Sequence, residues 1–112
     1  MPLQATLEIN RDIEVNGNYH VVVKGKGYLQ ASRNANVVVR VRGCDQWFDD
    51  KLFTFPEPGE SRVGVDADGT FTIAKSVPGS KLNEDWGDDE IFAIVSVTGF
   101  GDVRTNEVKG NF

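Results

Sequence analysis

Valine at every second position is the feature that most restricts this chain. In residues 36–42, Val37, Val39 and Val41 share one side of an extended backbone, while Val38, Arg40 and Arg42 take the other. A two-residue period of this kind marks a strand with one buried face. The bias runs through the whole sequence, which holds 15 valines against 5 leucines. Branching at Cβ costs a side chain its χ1 freedom in a helix and packs well on a pleated sheet. Gly, Pro or an alternating pattern enters every window of helical length, and no window spaces its apolar residues for a long amphipathic helix.

The same alternation marks the other strands. Leu3, Ala5, Leu7 and Ile9 alternate with Gln4, Thr6 and Glu8, and Asn16-Gly17-Asn18 supplies a turn. Residues 19–24 form a second strand with Tyr19, Val21 and Val23 on one face, ended by Gly25 and Gly27. In 51–55, Leu52 takes one face and Phe53 and Phe55 the other; Pro56-Glu57-Pro58-Gly59 stops the run, because proline cannot donate to a ladder. A short strand is expected over 61–65, a tight turn at Asp66-Ala67-Asp68-Gly69, and a strand over 70–74 with Phe71 and Ile73 inward. Pro78-Gly79 opens an irregular, acidic loop to residue 88. Residues 89–98 form a long strand with Ile91, Ala93, Val95 and Val97 on one face, and Phe92 and Ile94 imply partial cover on the other. Gly99-Phe100-Gly101 turns into a last strand over 102–112, with Asn106 or Gly110 as a bulge. About seven to eight strands separated by turns predict an all-β, antiparallel sandwich in a single domain over 1–112, and the clean alternation favours a sandwich over a barrel.

Three parts of the chain resemble a known family. Val65-Asp66-Ala67-Asp68-Gly69-Thr70-Phe71-Thr72 is similar to the start of the E strand in bacterial and phage immunoglobulin-like (Big-type) domains. Val21-Val22-Val23-Lys24-Gly25-Lys26-Gly27-Tyr28 is similar to the end of their B strand, and the pair 90–98 and 102–112 to their F–G hairpin. The chain departs from antibody domains in its single cysteine, which removes the inter-sheet disulfide, and in lacking a tyrosine corner. The resemblance implies an immunoglobulin-like sandwich used as a spacer, adhesive, or capsid or tail module, with no catalytic residues.

Composition narrows the function classes. A chain of 112 residues can bury a core without staples. Its net charge of −5, from 12 bases and 17 acids, argues against a general nucleic-acid binder, which needs a concentrated basic face. No stretch approaches the roughly 20 apolar residues of a membrane helix, and no basic patch followed by an apolar run suggests a signal peptide. The lone Cys44 excludes an internal disulfide and is expected to be a small buried hydrophobe; the lone His20 is expected at the surface or rim. Gly25-Lys26-Gly27 and Gly99-Phe100-Gly101 lack the third glycine of a dinucleotide fingerprint and are expected in hairpin turns. No cofactor is expected, and a hydrolase is the weakest reading, because the usual catalytic residue types are nearly missing.

The candidate binding residues fall in two acidic, aromatic segments. Trp47 and Phe48 lie beside Asp49 and Asp50; Trp86 lies among Asp85, Asp88 and Asp89, where residues 84–90 hold five acids. Solvation is the ordinary relief for such charge, with calcium or a basic partner as alternatives. Oxygen at Asp66, Asp68 and Thr70 superficially suggests calcium, but a type I turn with a bulge explains it, and no metal is expected there. Each tryptophan either plugs an end of the sandwich or stacks on a ligand. If the two segments meet, that end is an acidic, aromatic tip suited to protein contact. The expectation is a non-enzymatic structural or adhesive module with protein partners in a larger assembly, a homo-oligomer included, in a virion (capsid decoration or tail) or on an extracellular surface. The alternative is a carbohydrate-binding module that uses the tryptophans, with calcium optional.

Overall fold

A computed structural model describes residues 2–31, 34–44, 49–82 and 89–110, with the backbone alone for Cys44, Asp49, Asp50 and Asp89. The strands are β1 (Gln4–Arg11), β2 (Asn18–Lys26), β3 (Val37–Cys44), β4 (Asp49–Phe55), β5 (Phe71–Pro78), β6 (Asp89–Val97), β7 (Val103–Arg104) and β8 (Val108–Gly110). They make two antiparallel sheets that pack as a sandwich. One has the order β1-β2-β5; the other runs β4-β3-β6-β7, with β8 also on β6. The first, second and fifth strands are thus separated from the third and the last ones, as A, B and E are from C, F and G in an immunoglobulin-like sandwich. A 3₁₀ turn, Gly79–Lys81, follows β5. No helix among the described residues is long and apolar enough to cross a membrane.

The inward positions are those the period picks out. Leu7, Val21, Val23, Phe71, Ile73 and Val77 from one sheet meet Val37, Val39, Val41, Phe55, Ile91, Ala93, Val95 and Val97 from the other. Tyr28 and Leu82, both buried in the same cluster, close its ends. Fully burying side chains of this size contributes about 1.5–3 kcal/mol each. Gly25 is obligatory for a packing reason: a Cβ there would come within 2.0 Å of the Phe71 ring.

Four expectations need correction. Residues 61–65 are not a strand. Val63 and Val65 do pack against the core, and Val37 N donates to Val63 O at 2.9 Å, but β4 covers that side of β3 from Val39 onward and β6 covers the other, which leaves the segment too short an edge for a ladder. Gly25-Lys26-Gly27 is not a hairpin turn: Gly25 and Lys26 finish β2, and Gly27, at φ +89, passes so close to Pro2 that a Cβ would meet its carbonyl oxygen at 2.5 Å. The strand that begins near Thr70 continues to Pro78. The last strand is two short ones. Between them Thr105 Oγ1 accepts from Ala93 N, and the Asn106 side chain crosses to β1, accepting from Leu7 N at 2.8 Å and donating to Leu7 O at 3.1 Å. Asn106 therefore acts as a rung between the sheets, and a ladder cannot run through it.

Candidate functional site

Strand register fixes which features share an end of the sandwich. Tyr28, just past β2, meets Phe100, just past β6, with ring centroids 5.1 Å apart, and Tyr28 N donates to Gly69 O just before β5. The other end must then hold the β1–β2 loop, the end of β5, the end of β3 and the starts of β4 and β6. There Cys44 is flanked by Asp49 on β4 and Glu90 on β6. Neighbouring strands are about 4.8 Å apart, so the strand ends that root the two acidic, aromatic segments lie within about 10 Å of each other. Trp47, Phe48, Asp85, Trp86 and Asp88 lie outside the described residues; Asp49, Asp50 and Asp89 are placed by backbone as the first residues of β4 and β6.

At the same end, Asp12 organises a loop that sequence reasoning passed over. Asp12 Oδ1 accepts from Glu14 N at 2.9 Å and from Val15 N at 3.2 Å, and Oδ2 accepts from the Ser76 hydroxyl at 2.9 Å. Asp12 N donates to Asn18 O, Asn18 N to Val15 O, and Gly79 N to Gly17 O. These bonds, with the Glu14 amide foremost and Ser76 next, hold the Asp12 carboxyl below the usual carboxylate range. The bonded loop presents two branched aliphatics to solvent: Ile13 is 97% exposed and Val15 49%. The available signal was Asp12-Ile13-Glu14-Val15 directly ahead of the Asn16-Gly17 turn, two branched apolar residues set among acids.

His20 is half-exposed, as expected, with Nε2 3.4 Å from Asp12 Oδ1. Serine, aspartate and histidine therefore meet, but the carboxylate stands between the other two. Ser76 gives its hydrogen bond to Asp12, whereas nucleophilic activation requires the imidazole to receive it.

The outer face of the five-stranded sheet carries a second feature. Phe92, although outward, is 1% exposed, because the Arg104 guanidinium lies 3.8 Å above its ring centroid. The partial cover expected for this face is thus supplied by arginine. Arg104 also pairs with Glu107 at 2.8 Å, and Arg40 with Asp102 at 2.7 Å. Ser96 and Arg40 together hold Asp102 below its ordinary pKa. Arg42 and Lys51 are register partners across β3 and β4, beside a bulge. Among the described residues they make no ion pair and the buried Arg42 Nε has no acceptor. With Leu52, Phe53 and Thr54 they line an open recess of about 230 Å³.

In the Asp66–Thr70 turn the oxygens considered for calcium take part in the turn's own hydrogen bonds. Asp68 Oδ1 accepts from both Thr70 N and Thr70 Oγ1, Gly69 N donates to Asp66 O, and Asp66 N to Thr70 O. The hydrogen bonds from Thr70 lower the Asp68 pKa. Among the described residues no group of three or more His, Cys, Asp or Glu side chains could hold a metal ion. No protein-family model, curated protein or solved structure matches this chain.

Proposed function

We propose that the chain is a non-enzymatic structural or adhesive module that works through protein–protein contacts within a larger assembly. The observation that carries this reading is Ile13, 97% exposed on a loop whose backbone is already hydrogen-bonded into place. A branched aliphatic held outward exposes apolar area to water, and a preset loop loses little further entropy on contact, which suits it to a protein interface. Two of the segments that carry the resemblance to bacterial and phage immunoglobulin-like domains pack on each other, with Gly25 against Phe71 and Tyr28 N bonded to Gly69 O. The resemblance implies an assembly of the kind those domains build, in a virion or on a bacterial surface. Cross-linking in the native source followed by mass spectrometry tests the reading. Constant cross-links from Lys51 or Lys81 to another chain are expected; recovery as an unlinked monomer would contradict it.

A further inference from the structure

The loop and the recess have complementary chemistry. Ile13-Glu14-Val15 is an acid between two exposed aliphatics, and Glu14 makes no ion pair among the described residues. The recess on the β4 side offers the reverse: half-buried Leu52 beside Arg42 and Lys51, two cations that also lack an acidic partner among the described residues. Glu14 has no cationic partner among the described residues, and a guanidinium is the group that a carboxylate binds best.

We infer that the occupant of the recess is a second copy of this chain, whose Ile13-Glu14-Val15 loop enters it with Glu14 between Arg42 and Lys51 and its aliphatics on Leu52. This inference rests on the reading of the chain as a contact module and names its partner. Loop and recess are different surfaces, so the contact is heterologous. Repeated from copy to copy it gives rings or filaments, the growth expected of a structural subunit. A contact of this size is weak in free solution and is strengthened by repetition in an assembly.

Sedimentation of the purified chain tests it. Wild type should pass from monomer to larger species between about 10 μM and about 1 mM, the range of weak contacts. Raising the salt from about 0.15 M to about 1 M should reduce the association, because screening falls on the charge pairs. Ile13→Asp, Glu14→Lys and Lys51→Glu should each weaken association about tenfold or more while leaving the thermal midpoint unchanged, since all three side chains are exposed. Arg42→Glu should weaken association as well, and Lys51→Glu, exposed where Arg42 is half-buried, carries the test if Arg42→Glu does not fold. Glu14→Lys combined with Lys51→Glu in one chain should restore part of the association lost in either single variant, because the pair with residue 51 is reversed while Arg42 keeps its charge. A mixture of Ile13→Asp with Lys51→Glu, which joins one intact recess to one intact loop, should give a dimer and nothing larger. A monomer throughout that concentration range, or variants that associate like wild type, would overturn the inference. Cross-links to a different protein in the native source would then leave the contact-module reading standing, whereas their absence as well would remove both.

Discussion

Two aspartate-pinned turns stand at opposite ends of the β1-β2-β5 sheet, and they use the same device for different ends. Asp68 and Asp12 each accept backbone N–H groups from the residues that follow, and each turn contains a glycine at positive φ, Gly69 at +83 and Gly17 at +86. Around Gly69 the chain is crowded: a Cβ would meet Leu29 N and the Tyr28 carbonyl carbon at 3.1 Å. Around Gly17 nothing lies within 4 Å. The first turn is a packing device, closing the core beneath Tyr28. The second is a display device, rigid in backbone and open around its side chains. Pinning a turn does not say which it is; the space around it does.

The largest difference should appear on replacing the glycines. Gly69→Ala should cost about 2–3 kcal/mol, from the left-handed backbone and the crowding together, and Gly17→Ala about 1–2 kcal/mol from the backbone alone. Urea midpoints at constant m measure both; equal losses would erase the distinction between the turns. Acid should separate them next. Asp12 and Asp68 both have folded-state pKa values below the ordinary 3.8. Their contribution to stability is full above that value and is lost as the pH falls through the lowered folded values, because the unfolded chain takes up the proton first. Denaturation midpoints between neutral pH and strong acid should fall accordingly. Asp12→Ala should flatten that fall more than Asp68→Ala, since Asp12 accepts bonds from three residues and Asp68 from Thr70. The smallest effect belongs to Tyr28→Phe at the packed end. The Tyr28 hydroxyl is buried without a partner among the described residues, and burial raises its pKa. Its removal should leave stability unchanged or raise it by up to about 1 kcal/mol. A clear loss would mean that the hydroxyl has a partner.

Much of the fold was legible because burial follows the period. Val37, Val39, Val41, Ile91, Ala93, Val95 and Val97 are all in the core, and two antiparallel sheets form the expected sandwich, with eight strands among the described residues. Period says which side chains turn inward, and it is silent on whether a neighbouring strand has a free edge. That is why Ser61–Val65 alternates and packs but does not join a ladder. Nor does period reveal a side chain that imitates a strand, as Asn106 does toward Leu7. The exposed features were harder still. The Arg42–Lys51 recess exists because a bulge near Leu52 changes the register, and the Ile13 loop depends on the long-range bond from Ser76 to Asp12. Both depend on pairings between distant residues, which a local pattern does not carry. The acidic, aromatic segments were legible as composition, and the register adds that their roots share the end of the sandwich where Ile13 is displayed.

The preset display loop is tested most directly by amide hydrogen exchange at Glu14 and Val15. Their N–H groups donate to Asp12 Oδ1, so exchange in the wild type should be markedly slower than in an unstructured peptide and should become fast in Asp12→Ala. Exchange at the unstructured rate in the wild type would contradict the account, because Ile13 would then be the tip of a loose loop and its exposure would carry no meaning.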